Sequence, residues 1–201
     1  LLNLAREKGA DLAIALDPDA DRCSVAVPDE TVPGGWRQLT GDAVGILLGE
    51  QAAELAAFTG TGVLASSIAS GRMLRKIAQD HGLAHRITPT GFTWISRVPG
   101  LVFGYEEAMG YCVDPASVRD KDGIAAAVRI ALLSSVLKAQ GRSLLSLLDQ
   151  LAQRHGLHLT CQMSARAEDP EIIGGIMRRL REGGAPAKLA GSPVVDVFDL
   201  L

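Results

Sequence analysis

Short apolar runs alternate with longer helix-forming stretches from Asp11 to Arg154, and this alternation confines the chain to an α/β layer architecture. The runs Asp11 to Leu16, Cys23 to Val27, "TGVLASSI", "AHRIT" and "GLVFGYEE" read as strands. Helices are expected from about Asp42 to Ala57, with Thr40 or Gly41 near the cap, from Gly71 to Asp80, briefly at "FTWISRV", from about Asp122 to Lys138, and from Ser143 to about Arg154 behind a Ser cap. Strands joined through helices lie in a mixed or parallel sheet, with the helices on its faces. From Leu157 the pattern restarts, with a strand near "LHLTCQMSA", a helix near Pro170 to Arg181, and then "SPVVDVFDLL". Boundaries are therefore expected near Thr40 and His155, and the last segment reads as a domain begun but not finished. The opening "LLNLAREKGADLAIAL", without Met, reads as part of something longer.

Composition excludes several classes of function. With 47% hydrophobic and 21% charged residues the chain is expected to be soluble and globular, and aromatics at only 4% suit small-residue helices packed on sheets. A net charge of −3 without any Lys/Arg run offers no field for nucleic acid. The most apolar run, Gly123 to Ala139, carries Arg129 and is too short and too polar to span a bilayer, so no membrane partner is expected. Cys23, Cys112 and Cys161 lie far apart, which suggests neither a disulfide framework nor a zinc motif and fits a reducing, cytoplasmic setting.

Between the first two strands stands "DPDADR", with Asp17, Asp19 and Asp21 at alternate positions and Arg22 beside them. A turn here can gather the three carboxylates around one point, where they repel unless a cation sits between them. Oxygen-only ligands select a hard cation, and few protein ligands completed by water or phosphate suit Mg²⁺. Arg22 supplies a fixed fork for a phosphate. A solvated acidic turn is the plain alternative. A calcium EF-hand fits badly: Arg22 stands where Gly is needed, Pro28 stands where an acid is needed, and the flanks are not helical. A haloacid-dehalogenase-like phosphatase, with Asp17 as nucleophile, is a closer rival, although such enzymes usually carry Thr or Val where Asp21 stands.

Two later stretches, "TPTGFTWISRV" and "VFGYEEAMGYCVDPASVRDKDGIAAAV", place Gly and polar groups directly after an apolar strand. In the second, Gly110 is expected to permit a tight turn that aims the carboxylates of Glu106 and Glu107 outward, able to bind vicinal sugar hydroxyls or to act as acid and base. Alone, the pair reads as an exposed acidic loop and Lys121 as a solvated loop lysine.

The order "DPDADR", "TGFTWI", "GYEEAMGY", "DKDGI" resembles the α-D-phosphohexomutase superfamily of phosphoglucomutases and phosphomannomutases. The resemblance covers Asp11 to about Lys138, and is closest to the branch with "EEA" in place of "EES", which includes phosphoglucomutases and phosphopentomutases. It implies a three-layer α/β/α domain type and a division into residues 1–39, the end of a metal-binding second domain, 40–155, a sugar-binding third domain, and 156–201, the start of a fourth. It further implies an enzyme that interconverts hexose 1-phosphate and hexose 6-phosphate through a hexose 1,6-bisphosphate, with a phosphorylated serine supplied by a first domain and a phosphate-binding loop by the fourth.

No Ser-His-Asn-Pro-like stretch occurs in the sequence, and no "SGT"-type loop follows Asp196. By the resemblance, Asp17, Asp19 and Asp21 bind Mg²⁺, Arg22 contacts the phosphoserine or the phosphoryl group in transit, Thr90, Gly91, Glu106 and Glu107 face the sugar, and Lys121 lies near the reacting hydroxyl or phosphate. Three positions depart from the pattern: Ala108 replaces a common Ser, Tyr111 stands where the mannomutase-type branch has His, and Thr93 stands where Lys is frequent. Enzymes accelerate phosphate-monoester chemistry by up to about 10²¹-fold, whereas a bound metal supplies only several kcal/mol. The chain by itself is therefore expected to bind without turnover. A phosphosugar-binding module that lacks the serine domain is the non-enzymatic alternative.

Other residues receive structural readings. His155 and His158 fall at an expected helix end beside Gly156, His81 and His85 read as surface, and Trp36 and Trp94 read as packing residues. "LAAFTGTGVLASS" lacks the full dinucleotide fingerprint.

Overall fold

The computed structural model describes residues 1–160, 166–184, 186–189 and 191–197. Residues 1–160 form one compact unit and 161–201 a second.

In the first unit, α1 (Leu2–Glu7) precedes an antiparallel sheet ordered β1-β2-β3, made of Ala13–Leu16, Cys23–Pro28 and Trp36–Gln38. The period-two alternation of β2 sends Cys23, Val25 and Val27 into the large core and Ala26 to a small cluster with Ala5 and Ala13. Helix α2 (Gly41–Ala57) follows, with Thr40 Oγ1 accepting from Ala43 N at 3.1 Å as its N-cap.

The second sheet is ordered β5-β4-β6-β7, made of Ala84–Thr88, Val63–Ser67, Leu101–Glu106 and Gly110–Cys112. β4 runs parallel to both β5 and β6, and β7 turns back antiparallel to β6. Helices cover both faces. Phe103 and Tyr105 of β6 point into the large core with α2 and α3 (Met73–Asp80), while Ala65 and Cys112 meet Phe92 and Ile95 of the short α4 (Phe92–Ile95). Gly45 is what lets α2 lie on β6, because a Cβ there would enter the ring of Tyr105. A glycine inside a helix costs about 1 kcal/mol relative to Ala, which this close packing offsets.

α5 (Gly123–Ala139) and α6 (Leu144–His155) complete the unit, with Ala126, Ile130, Leu137, Leu147 and Leu151 in the large core. Ser143 caps α6 in a reciprocal capping box with Ser146. Because Cys23, Val25 and Val27 share that core with α2 and α5, the segments before and after Thr40 are packed together. In the second unit, Asp169 caps α7 (Pro170–Glu182), and β8 (Lys188–Leu189) pairs antiparallel with β9 (Ser192–Pro193).

The expected fold class, mixed sheets flanked by helices, is the one observed. Several details differ. The strand expected near "LHLTCQMSA" is absent from residues 157–160, and its remainder, 161–165, lies outside the described residues. In "SPVVDVFDLL" only Ser192–Pro193 is strand, with 198–201 outside the described residues. His81 and His85 are not free surface groups. His81 Nε2 lies 3.2 Å from Oε2 of buried Glu50, and His85 Nε2 lies 3.2 Å from the hydroxyl of buried Ser66. Trp94 does not pack inside: it is 53% exposed, since α4 is a single turn that buries Phe92 and Ile95 instead. No single helix among the described residues is long and apolar enough to cross a membrane.

Candidate active site

The aspartate loop joins β1 to β2, whose register pairs Leu16 with Cys23. Ala20 takes a left-handed conformation at φ 58°, and its N–H donates to the Asp17 carbonyl at 3.0 Å. Arg22 N donates to Asp17 Oδ1, also at 3.0 Å. A non-glycine residue in that region costs about 1 kcal/mol, which these bonds offset. The loop curls so that one carboxylate oxygen each from Asp17, Asp19 and Asp21 lies within 4.8 Å of the others.

Two cations face the three carboxylates. Arg22 Nε lies 3.3 Å from Asp17 Oδ2 and 3.7 Å from Asp21 Oδ1, and Lys121 Nζ forms an ion pair with Asp21 Oδ2. The Arg22 N–H, seconded by its guanidinium, holds the Asp17 carboxyl below the usual aspartate range, and the bond to Asp21 raises the Lys121 ammonium above the usual lysine range. Asp21 Oδ1 is buried without a hydrogen-bond partner. An orphaned carboxylate oxygen among three converging carboxylates fits a hard divalent cation bound through oxygen.

Lys121 reaches the loop because of how α5 begins. Asp122 caps the helix, its Oδ1 accepting from Ala125 N at 2.9 Å, and its own N–H donates to the Tyr111 carbonyl at 2.9 Å. Gly123 N donates to the Ala20 carbonyl at 3.1 Å, and a Cβ on Gly123 would stand 2.7 Å from the carbonyl oxygens of Ala20 and Arg22. The aspartate loop thus rests on the first turn of α5, which only a glycine permits.

The β6–β7 hairpin adjoins the same loop. Arg22 makes an antiparallel bridge with Gly110, and Cys23 N donates to the Met109 carbonyl at 3.1 Å. Glu106 pairs with Gly110 across the hairpin, and its Oε1 accepts from Gly91 N at 2.5 Å, with exposed Thr90 next in the chain. The turn itself departs from expectation. Met109, at φ 66°, takes the left-handed position, while Gly110 provides close approach, since a Cβ there would lie 3.0 Å from both Lys121 Cδ and Phe92 Cε2. The two glutamates do not point outward together either. Glu107 turns to the opposite side, where its Oε2 accepts from Ser67 Oγ at 2.9 Å and Ser70 Oγ at 3.0 Å.

One contributor was not foreseen. Asp42 is buried, and its Oδ1 accepts from Tyr105 OH and Gly71 N at 2.7 Å each, while its Oδ2 accepts from Thr160 Oγ1. An acid in a first helical turn reads as a routine partner of the helix dipole, and that hides its role in fixing the turn after β4.

A family model described as phosphoglucomutase/phosphomannomutase, alpha/beta/alpha domain III, matches residues 40–155. The chain belongs to this family. It is 43% identical over 199 residues to a probable phosphomannomutase of Haemophilus influenzae, covering 98% of this chain and 40% of that protein. A human phosphopentomutase is 34% identical over 194 residues, covering 89% of this chain and 31% of that protein. A phosphoglucomutase/phosphomannomutase family protein of Burkholderia thailandensis shares the fold, with a TM-score of 0.59 at 17% identity over 75% of this chain and 31% of that one. The chain spans less than half the length of each of these proteins.

Membership in the phosphoglucomutase/phosphomannomutase family leaves the dehalogenase-like phosphatase without support.

Proposed function

We propose that this chain is the metal- and sugar-binding portion of a phosphohexomutase, an intramolecular phosphotransferase that interconverts hexose 1-phosphate and hexose 6-phosphate. The observation that carries the reading is the meeting of two loops far apart in sequence: the Arg22 bridge to Gly110 and the Lys121 pair with Asp21 set the carboxylate cluster beside the Glu106 hairpin.

Asp17, Asp19 and Asp21 would hold Mg²⁺, which when bound supplies charge neutralisation for a phosphoryl group passing in line between oxygens. Arg22, half exposed, presents its fork to phosphoryl oxygens, and Lys121, kept protonated, adds a second positive contact. Glu106 accepts from sugar hydroxyls while Gly91 N holds its other side, and Thr90 and Gly91 line the sugar. Glu107, expected at the sugar, faces Ser67 and Ser70 instead.

A phosphorylated serine on another domain of a longer cytoplasmic protein would pass its phosphoryl group to O6 of the hexose 1-phosphate. The hexose 1,6-bisphosphate then turns over, and the phosphoryl group on O1 returns to the serine, which regenerates the phosphoenzyme. The division into residues 1–39, 40–155 and 156–201 belongs to the same reading, as does a phosphate-binding loop supplied by a fourth domain.

Phosphorus NMR of the chain with Mg²⁺ and glucose 1-phosphate tests the reading. A Mg²⁺-dependent shift without turnover is the expected result. Release of inorganic phosphate would overturn it in favour of hydrolysis, and a shift with ribose 1-phosphate but none with glucose 1-phosphate would move the substrate class to pentoses.

A further inference from the structure

Glu106 ends β6 and Glu107 opens the turn into β7, and the two neighbouring side chains take different partners. Glu106 takes the Gly91 amide, whereas Glu107 Oε2 takes the hydroxyls of Ser67 and Ser70 at 2.9 and 3.0 Å. Ser70 Oγ in turn accepts from Glu107 N at 3.1 Å, so side chain and backbone of the same residue are fixed by one turn. That turn is itself held. Ser67 and Ser70 are buried, Ser70 N donates to the Ser67 carbonyl at 3.1 Å, and Gly71 N donates to buried Asp42 at 2.7 Å. The hairpin needs such a hold, because Met109 occupies a left-handed conformation that side-chain-bearing residues avoid. Gly41, at the start of α2, lies directly against the Glu107 carbonyl, where a Cβ would collide.

We infer that Glu107 is a positioning residue and not a sugar ligand: through Ser67 and Ser70 it clamps the hairpin so that Glu106 is presented beside Gly91. The clamp is a property of the fold, and only its consequence for sugar binding rests on the mutase reading. The role requires an oxygen able to accept two hydroxyl bonds, which Gln supplies as well as Glu and Ala does not. Glu107→Gln should therefore rescue what Glu107→Ala loses. A residue needed for its charge against the substrate would not be rescued.

The test is ¹⁵N NMR of the 201-residue chain, following the Gly91 amide. Glu107→Ala and the Ser67→Ala/Ser70→Ala pair should move the Gly91 resonance in the same direction, and combining them should add little further. Glu107→Gln should leave it near the wild-type position and keep the Mg²⁺-dependent response to glucose 1-phosphate. Ser70→Ala, which retains the carboxylate, carries the comparison if Glu107→Ala does not fold. A Gly91 resonance unmoved by Glu107→Ala or by Ser70→Ala overturns the clamp, as does a Glu107→Gln chain that keeps the Gly91 position but loses its glucose 1-phosphate response. If the wild-type chain itself gives no response to the sugar phosphate, the mutase reading fails, and the Gly91 comparison still decides the clamp.

Discussion

Asp21 and Lys121 form an ion pair that ties the aspartate loop to the start of α5, and the pair leaves Asp21 Oδ1 buried without a hydrogen-bond partner. Lys121 therefore occupies one oxygen of a carboxylate that a cation would share. Removing a positive charge from beside a cation site strengthens cation binding. Lys121→Met should bind Mg²⁺ several-fold more tightly by calorimetry at low salt while responding more weakly to glucose 1-phosphate. Unchanged Mg²⁺ affinity would mean that Lys121 does not compete at this site.

Asp19 is the most exposed of the three acids. Asp19→Asn removes a ligand charge and should weaken Mg²⁺ binding with little loss of thermal stability. Equal affinity in the two proteins would place the cation elsewhere.

Gly123 lets the aspartate loop lie on α5. A Cβ at 2.7 Å from two carbonyl oxygens must displace one of them, and overpacking of this kind costs about 1–3 kcal/mol. Gly123→Ala should lower the unfolding midpoint and weaken Mg²⁺ binding together. A change in stability alone would separate the loop from the cation.

Tyr105→Phe removes the hydroxyl that donates to buried Asp42 at 2.7 Å. Gly71 N still donates to Asp42, so the cost should be about 1–2 kcal/mol, measured by urea unfolding.

Burial, with Arg75 nearby, pushes the His85 imidazole down to about 4, against about 6.5 for an unfolded histidine. Between those values the unfolded chain binds a proton that the native chain refuses. The contribution is fully present above pH 6.5 and is lost as the pH falls toward 4. Urea midpoints should drop across that window, and His85→Gln should flatten part of the drop.

Much of the fold could be read in advance because local signals agreed with the final packing. Thr40 and Ser143 stand at the caps where polar side chains precede apolar periodicity, and the aspartate loop sits between two strands that the apolar runs announce. β7 leaves no mark in the sequence, because a three-residue strand has no period to detect and only its pairing with β6 defines it. Glycine's conformational freedom suggests that Gly110 makes the tight turn, yet the structure needs a glycine there for space beside Phe92 and Lys121 and leaves the left-handed position to Met109. Pairs such as Lys121 with Asp21, or Glu107 with Ser67, span long stretches of chain and exist only once the sheet has formed. The sequence marks Asp17, Asp19, Asp21, Arg22, Lys121 and Glu106 as candidates, but it does not show that Glu106 meets the Gly91 amide while Glu107 meets Ser67 and Ser70.

On the proposed reading, the aspartate loop and the Glu106 hairpin form one metal-dependent sugar phosphate site. The most direct measurement is a ¹⁵N NMR titration of the chain with glucose 1-phosphate, with and without Mg²⁺, following the amides of Arg22 and Gly91. Both resonances should move together, with a common midpoint that tightens when Mg²⁺ is present. Movement of Arg22 alone, or a Gly91 response indifferent to Mg²⁺, would contradict that reading.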